Sequence, residues 1–313
     1  MTIGVRTCKI IAKRIYGIVI RMISDNTEKK YNLAIVAIAK NEQDYIKEWV
    51  AFHKVMGFDK IILYDNDSTD NTVEEIRPFI DSGYVVYNKI PGEKQQLNAY
   101  NDALKRYSSL FKYMAFIDCD EFLFPVDSRE TVLSVVEKAM KKNRRAGGIC
   151  VNWVMFGSSG HETKPEGLLI ENFTYRSKLP GPGTMWIKTI CNPDLVVRFG
   201  HAHYPKYKRG IYGITPYGKK CIGWSNPINE YFGLRINHYF TKSKAQWIER
   251  RKFDVMCPNN LRTIDQFYTH DNNDIQDIEI LRYKEALCRI MNYKDETQNY
   301  SILSSSILSI QRK

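Results

Sequence analysis

The segment YMAFIDCDE, residues 113–121, joins five apolar residues to three carboxylates. The apolar part has the length of a short buried strand, so the carboxylates should follow at its C-terminal edge. Alternate residues of an extended chain point to the same side, and Asp118 and Asp120 are therefore expected to address one ion or its bound diphosphate. Mg²⁺ and Mn²⁺ both prefer such oxygen ligands. The alternative is that these carboxylates only cap turns or helices.

Apolar runs and helical patterns alternate through the first half of the chain. Strands are predicted at 33–39, 60–64, 83–88 and 113–117. Helices are predicted from about 44 to 57, 71 to 80, 94 to 107 and 130 to 142, the last with a capping box formed by Asp127 and Glu130. This β-α-β-α order predicts an α/β fold with a mostly parallel sheet.

Polar clusters follow three of these strands. They are Lys40-Asn41-Glu42, Asp65-Asn66-Asp67 and Asp118-Cys119-Asp120. Ligands of parallel sheets bind at the C-terminal ends of the strands, so the three clusters predict one site. Neither GxGxxG nor GxxxxGK[ST] occurs in the sequence, which argues against a dinucleotide fold or a P-loop.

The sequence pattern changes at residue 147, where short strand-like segments begin to alternate with Gly/Pro-rich loops. These segments are 147–156, 168–175, 185–190, 195–199 and 234–240, and helices are predicted near 242–253 and 275–293. We expect an N-terminal helix at 1–30, a nucleotide-sugar-binding half at 31–146, an acceptor-binding and metal-completing half at 147–295, and a tail at 296–313.

Composition limits the partners and the compartment. The 313 residues carry a net charge of +11, which fits phosphate-bearing substrates or an anionic membrane. Zinc-finger spacing is absent and the basic residues are dispersed, so no nucleic-acid partner is expected. Seven scattered cysteines without CxxC indicate a reducing compartment. We therefore expect a cytoplasmic protein without a cleavable signal peptide.

Residues 9–23, KIIAKRIYGIVIRMI, are apolar but carry four basic residues. The stretch is too short and too charged for a spanning helix. It predicts a basic helix that lies on the inner face of the cytoplasmic membrane, and the alternative is a helix packed on the body of the protein.

Three motifs resemble those of the GT-A nucleotide-sugar glycosyltransferases, closest to the family-92 group and its bacterial family-2-like relatives. They are the first strand with Lys40-Asn41-Glu42, the segment YDNDSTD at 64–70, and FIDCDEF at 116–122. The segments WVMFGSSGH at 153–161 and INHYFTKS at 236–243 are also similar to that group. The resemblance covers about residues 31–290.

The resemblance implies a GT-A fold, a UDP-sugar donor, Mn²⁺ or Mg²⁺ as cofactor and inversion at the anomeric carbon. It implies that Asp65 and Asn66 meet the uracil and ribose, and that Asp118 and Asp120 bind the metal and diphosphate. His238 would then complete the metal coordination, with His201 and His203 as rivals. Glu121 is expected to be structural, and Cys119 to lie in the core.

Other residues are candidates for binding the donor because they follow predicted strands or begin a predicted helix. Asn41 and Asp67 belong to the strand-end clusters, and Lys94 and Gln95 stand at a helix start that can hold phosphate. Lys188 is a possible diphosphate contact. Each of these also fits an ordinary structural or solvated role.

An inverting reaction needs a general base that deprotonates the acceptor hydroxyl. Glu162 and His161 follow a strand in a Gly-containing loop and are the first candidates, with Asp274 and its neighbour Asp271 as rivals. The sequence leaves these open. Trp153, Trp186 and Tyr175 are candidates for stacking on an acceptor sugar.

The leading hypothesis is an inverting, metal-dependent glycosyltransferase that moves a sugar, with galactose as the first guess, to a glycan or lipid-linked acceptor. Capsule, O-antigen or lipooligosaccharide assembly would be the pathway. The alternatives are a sugar nucleotidyltransferase and a non-catalytic carbohydrate- or membrane-binding protein.

Overall fold

A computed structural model describes residues 2–221, 223–226, 232–250 and 263–292. The predicted tail at 296–313 lies outside these residues, as do the predicted ends of two helices at Phe253 and Tyr293.

A sheet of ten strands forms the centre of the molecule. Its main order is β12-β11-β6-β8-β4-β1-β2-β3, and β13 joins it beside β6 and pairs in turn with β5. The strands β3, β2, β1 and β4 run parallel. The described strands are β1 Tyr31–Ala39, β2 Lys60–Asp65, β3 Val85–Lys89, β4 Phe111–Phe116, β5 Glu121–Pro125, β6 Ala146–Met155, β7 Tyr175–Arg176, β8 Ile187–Cys191, β9 Val196–Phe199, β10 Pro205–Tyr207, β11 Tyr212–Ile214, β12 Lys220–Cys221, β13 Leu234–His238 and β14 Ile275–Gln276. The predicted α/β class with a mostly parallel sheet is confirmed.

Helices cover both faces of this sheet. Alternate residues of β1 enter two different cores, one shared with α2 and one with α5, as expected of a strand buried on both sides. The described helices are α1 Thr2–Asp25, α2 Ile46–Val55, α3 Thr72–Glu75, α4 Arg77–Asp81, α5 Gln96–Tyr107, α6 Val132–Lys142, α7 Leu169–Asn172, α8 Lys244–Arg250, α9 Ile264–His270 and α10 Lys284–Asn292. Within the described part of the chain, no helix is both long and apolar enough to cross a membrane.

The strand order places a topological switch point between β1 and β4. The chain leaves β1 toward β2 on one side, and it returns from β3 through α5 to β4 on the other side. A crevice therefore opens beyond the C-terminal ends of these two strands, which is where ligands of such sheets bind. The strands β6, β8 and β11 of the second half extend the same sheet, so both predicted halves share one sheet.

Several predicted elements differ from those observed. The predicted helix at 71–80 is two short helices, because Pro78 lacks the N–H of a continuous helix and stands in the first turn of α4. The predicted strand at 168–175 is wrong: the short helix α7 occupies half of it, and of the eight residues only Tyr175 lies in a strand. The predicted helix at 275–293 begins only after β14, first as a 3₁₀ turn at Glu279–Tyr283 and then as α10.

The cap of α6 also differs from the prediction. Thr131 and Ser134 form its capping box, each side chain bonded to the other's backbone N–H. Asp127 instead pairs with Arg129, and Glu130 accepts a hydrogen bond from the Ser134 hydroxyl. The carboxylates thus lie just outside the helix that they were expected to cap.

Candidate active site

A cavity of about 520 Å³ lies at the C-terminal ends of β1 and β4. Its walls come from the loop after β1, the turn after β4, the end of β13 and helix α8. The polar and aromatic lining residues are Lys40, Asn41, Glu42, Gln43, Asp44, Thr69, Asp70, Gln96, Asp118, Asp120, Trp153, His203, His238, Phe240, Lys242, Gln246, Glu249 and Arg250.

The residues Asp120, Glu121 and His238 form a cluster at this site, in which Asp120 and His238 line the cavity and Glu121 lies behind its wall. Each of the three residues offers one ligand atom, and these atoms lie within 4.8 Å of one another. Strand pairing creates the cluster: His238 ends β13 and stands opposite Glu121, the first residue of β5. Asp120 precedes Glu121 in the turn, with its Oδ1 3.4 Å from His238 Nε2. All three side chains are buried.

Two atoms of the cluster lack hydrogen-bond partners. Glu121 Oε1 and His238 Nδ1 are buried and make no hydrogen bond with any described residue, although Lys188 Nζ lies 3.5 Å from Glu121 Oε1. A buried polar atom without a partner, such as His238 Nδ1, is rare in folded proteins and calls for an explanation such as a bound ion. Two carboxylates and one imidazole are a competent donor set for Mn²⁺, so these residues fit a divalent cation.

The pKa values of the two carboxyls of the cluster are shifted in opposite directions. Burial raises the pKa of Asp120, but His238 and Arg250 outweigh it and hold that pKa below its ordinary value. Burial raises the pKa of Glu121 well above its ordinary value, and Lys188 offsets this only in part. A positive charge near Glu121 would therefore favour its ionised form.

Asp118 lies beside this cluster without joining it. Its Oδ2 is 2.7 Å from Lys188 Nζ, and its Oδ1 accepts a hydrogen bond of 2.8 Å from Gln96 Nε2. The predicted extended geometry between Asp118 and Asp120 is wrong, because residues 119–120 form a turn after β4. The structure thus brings Asp120, Glu121 and His238 together and gives Asp118 other partners. A metal role for Asp118 stays a prediction.

Lys188, expected as a diphosphate contact, is almost fully buried in β8. Its ammonium also lies 3.5 Å from Glu121 Oε1. Burial lowers the pKa of Lys188, but Asp118 and Glu121 outweigh this effect and raise it above its ordinary value. Lys188 therefore places a permanent positive charge behind the two carboxylates, and it does not line the cavity.

A cationic wall, which no local sequence pattern predicts, faces the cavity. Lys242 Nζ lies 3.4 Å from Glu42 Oε2, and Arg250 forms an ion pair with Glu42 Oε1. Burial raises the pKa of Glu42, yet Arg250 and Lys242 bring it below its ordinary value. Glu42 and Arg250 are 208 residues apart, so only the fold brings them together.

Strained backbone supports this part of the site. Asn41 (φ 54°) and Lys242 (φ 53°) both line the cavity in the left-handed region, which is uncommon for residues with a side chain. Asn41 Oδ1 accepts a hydrogen bond of 2.8 Å from the Thr69 backbone N–H, which ties the loop after β1 to the loop after β2. Such strain concentrates at functional sites.

The predicted uracil and ribose contacts after β2 hold loops together. Asn66 is fully buried, and its Nδ2 donates to the Ile90 and Gly92 carbonyls. Asp65 accepts a hydrogen bond from the Tyr87 hydroxyl, and Asp67 accepts one from the Gly92 N–H. None of the three predicted residues lines the cavity, whereas Thr69 and Asp70 of the same loop do.

At the start of α5, the residue that lines the cavity is the one after the two predicted phosphate contacts. Lys94 and Gln95 are not among the lining residues, while Gln96, the first residue of the helix, lines the cavity and binds Asp118. The side chain that reaches the site follows the helical turn and could not be distinguished from its neighbours by sequence.

The predicted general bases lie away from the cavity wall. Glu162 is largely exposed beside Lys244. His161 has its Nε2 3.1 Å from the Asn172 carbonyl, and Asp274 accepts a hydrogen bond from the Lys178 N–H. Asp271 likewise binds the Ser158 backbone. Among lining carboxylates, Glu249 of α8 and Asp44 are exposed.

An aromatic track leads from the cluster to the surface. Ring centroids are 4.2 Å apart between His238 and Trp153, 5.1 Å between Trp153 and His203, 4.9 Å between His203 and Trp186, and 4.4 Å between Trp186 and Trp224. Trp224 is 43% exposed at the outer end. Tyr175, the third predicted stacking residue, is outside the track and is exposed beside β14.

The neighbouring histidines belong to this track. Burial lowers the pKa of His203 to about 3, with a further lowering by Lys188. His203 is thus neutral at physiological pH and contacts the Ile187 carbonyl through Nδ1. His201 stacks on Trp186 and Trp224. Neither histidine joins the cluster of Asp120, Glu121 and His238.

The sequence profile of glycosyltransferase family 92 matches residues 35–277. The chain belongs to glycosyltransferase family 92. The match extends from β1 to just beyond β14 and includes the whole candidate site.

Two plant relatives illustrate the similarity. A glycosyltransferase family 92 protein of Ricinus communis is 27% identical over 220 residues, which are 68% of this chain and 39% of the relative. Galactan beta-1,4-galactosyltransferase GALS3 of Arabidopsis thaliana is 32% identical over 102 residues, 29% of this chain and 20% of the relative. The chain spans about two fifths of the length of the first curated family 92 proteins that it matches.

Among solved structures, S. aureus TarS 1-349 in complex with UDP-GlcNAc is similar at 12% identity with a TM-score of 0.39, covering 83% of this chain and 72% of TarS.

Proposed function

We propose that this family 92 protein is an inverting, metal-dependent glycosyltransferase that moves a sugar from a UDP-sugar to a glycan or lipid-linked acceptor. The observation that carries the proposal is the buried cluster of Asp120, Glu121 and His238, of which Asp120 and His238 line the cavity at the ends of β1 and β4. Family membership supports the reaction class.

The cluster would hold Mn²⁺ or Mg²⁺ through two carboxylates and one imidazole. When bound, the cation would supply positive charge to the departing diphosphate. Lys242 and Arg250 add fixed positive charge on the cavity wall, where they can bind phosphate oxygens of the donor. Asp118, bonded to Gln96 and Lys188, would keep the wall beside the cluster in place.

The donor would be a UDP-sugar, and galactose is the first sugar to test. The similarity to galactan beta-1,4-galactosyltransferases supports this choice. The loops after β1 and β2 meet at the cavity through Asn41, Thr69 and Asp70, and they are suited to bind the nucleoside.

The acceptor would approach along the aromatic track. The exposed ring of Trp224 offers an apolar face of the kind that packs on a sugar, and the track ends at His238. Deprotonation of the acceptor hydroxyl would fall to a carboxylate of the cavity wall, with Glu249 as the first candidate.

We also propose that the acceptor belongs to surface-polysaccharide assembly, such as capsule or lipopolysaccharide, at the inner face of the cytoplasmic membrane. Exposed apolar side chains on α1 support membrane placement.

Differential scanning fluorimetry with UDP, GDP and CMP, each with and without Mn²⁺, tests the proposal on the wild type and Asp120→Ala. A stabilisation by UDP that requires Mn²⁺ and is lost in the variant is expected, followed by hydrolysis of one UDP-sugar in a donor screen. Stabilisation by free sugar but by no nucleotide would favour a carbohydrate-binding protein. Pyrophosphate-dependent release of a nucleoside triphosphate would favour a nucleotidyltransferase.

A further inference from the structure

Helix α1 presents an apolar face to solvent. Ile11, Ile15, Val19, Met22 and Ile23 recur every three or four residues and are all exposed, with Ile15 at 57% and Ile23 at 64%. This spacing places them on one side of the helix. A soluble protein rarely leaves such a stripe uncovered, so the face marks an interaction surface.

The opposite face of α1 is fixed to the body of the protein. A Cβ atom built on Gly17 would lie 3.0 Å from the Gly210 carbonyl carbon, which is tighter than most Cβ contacts, so glycine at this position favours the close approach. Arg21 is buried, and its guanidinium donates a hydrogen bond of 2.5 Å to the Ala146 carbonyl. Ser24 accepts one from Asn192. The helix is therefore docked by one face while its apolar face remains outside.

A basic groove of about 820 Å³ adjoins this helix. Lys13 and Arg14 of α1 form one side of it, and Lys206, Lys208 and Arg209 contribute cations from the opposite segment. Arg145 and Lys220 complete the set of basic lining residues. No carboxylate lines the groove, and none of these seven cations forms a salt bridge with an acidic residue in the ranges that the structure describes.

We propose that α1 and the basic groove form one docking surface for an anionic phospholipid bilayer. The apolar face of α1 would enter the boundary between headgroups and acyl chains, and the groove would hold lipid phosphates. Both features are needed for this choice: an apolar stripe alone fits another protein, and a basic groove alone fits nucleic acid. Helix α1 carries the apolar stripe on its outer side and borders the basic groove on its docked side, and this combination on one helix matches the chemistry of an interfacial helix on an anionic leaflet.

The docking surface adjoins the candidate active site. His201 and Tyr204 line the basic groove, while Ala202 and His203 line the cavity. The short segment 201–204 therefore contributes to both surfaces. A docked protein would hold its cavity close to the lipid phosphates. This consequence for a lipid-linked acceptor depends on the proposed function, whereas the docking itself does not depend on the proposed reaction.

Vesicle co-sedimentation of the full chain tests the proposal without any measurement of turnover. The probes are phosphatidylcholine vesicles with and without about 30% phosphatidylglycerol, at an ionic strength near physiological. Wild type should bind the anionic vesicles at least about tenfold more strongly than the neutral ones, and added salt should weaken the binding. Asp120→Ala should bind like wild type, which separates this result from the fate of the proposed activity.

Two variants address the two parts of the surface. Ile15→Asp should weaken binding about tenfold or more, while Ile278→Asp, at a site 56% exposed and outside the groove, should not. Lys208→Glu with Arg209→Glu should abolish the preference for anionic vesicles. The control is Lys141→Glu with Lys142→Glu, an equal change of charge at exposed positions of α6. Circular dichroism melts establish that each variant is folded.

Three results would overturn the proposal. One is equal binding to neutral and anionic vesicles, or no binding to either by folded wild type. Another is an equal loss of binding in the groove variant and its α6 control. The third is an effect of the variants on another partner without any change in vesicle binding. That partner would be duplex DNA, if the protein binds it tightly, or a second copy of the chain, if Ile15→Asp dissociates a dimer.

Discussion

His238 stands directly opposite Glu121 in the antiparallel pairing of β13 with β5. This register places an imidazole next to two consecutive carboxylates, at the point where the turn after β4 opens into the cavity. A shift of one residue would turn the His238 side chain to the other face of the sheet. The cluster therefore depends on a strand pairing between distant parts of the chain.

We expect Asp120 and Asp118 to differ in their effect on metal binding. Asp120→Asn should weaken Mn²⁺ binding about 100-fold or more, because it removes a carboxylate of the cluster, and Asp118→Asn should weaken it by no more than about tenfold, as a neighbour would. Isothermal titration of each apo variant with Mn²⁺ measures both values. A larger loss in Asp118→Asn would return Asp118 to the ligand set.

The ion pairs of Glu42 should stabilise the fold. Glu42→Gln leaves Lys242 and Arg250 without their buried partner, and we expect it to lower the free energy of unfolding by about 3 kcal/mol. Urea denaturation measures this change. Glu74→Gln, which breaks the exposed pair with Arg77, is the control and should lower the free energy of unfolding far less than Glu42→Gln does. Equal losses in the two variants would contradict the buried network.

The aromatic track predicts a specific kinetic effect. Trp224→Ala should raise KM for the acceptor about three- to tenfold with a smaller change in kcat, because the exposed ring contacts the acceptor away from the reacting atoms. Tyr175→Ala removes an exposed ring outside the track and should leave KM unchanged. Initial rates at varied acceptor concentration decide this, and an equal effect of both substitutions would exclude the track.

Substitutions at two glutamates test which residue acts as the general base. Glu249→Gln should lower kcat about 100-fold or more if this cavity-wall carboxylate removes the acceptor proton, while UDP binding is retained. Glu162→Gln should have little effect, since Glu162 is exposed outside the cavity. Rates with saturating donor and acceptor distinguish the two, and the reverse order of effects would restore the loop of Glu162 as the source of the base.

Local sequence patterns predicted the part of the site whose residues are neighbours in the chain. The apolar run at 113–117 and the carboxylates after it could be located from sequence, because a strand and the residues that follow it are neighbours in the chain. The partners of these carboxylates could not. Arg250 reaches Glu42 across 208 residues, and only the pairing of β13 with β5 brings His238 to Glu121. Sequence reasoning also assumed extended geometry at Asp118, where the chain turns.

The buried carboxyl of Glu48 accepts hydrogen bonds from the backbone N–H groups of Leu169 and Ile170 at the start of α7. Burial raises its pKa from 4.5 to about 7. Between these values the folded state binds more protons than the unfolded state, so stability falls as pH rises through this window. Two to three pKa units correspond to about 3 kcal/mol.

Glu48→Gln should remove this dependence, because an amide does not titrate. Urea unfolding of both proteins near pH 5 and near pH 8 gives the comparison. We expect the wild type to lose stability relative to Glu48→Gln as pH rises, and the difference to level off above the pKa of about 7. A difference that stays constant across this range would mean that Glu48 is ionised throughout, held charged by the two N–H donors of α7 against the effect of burial.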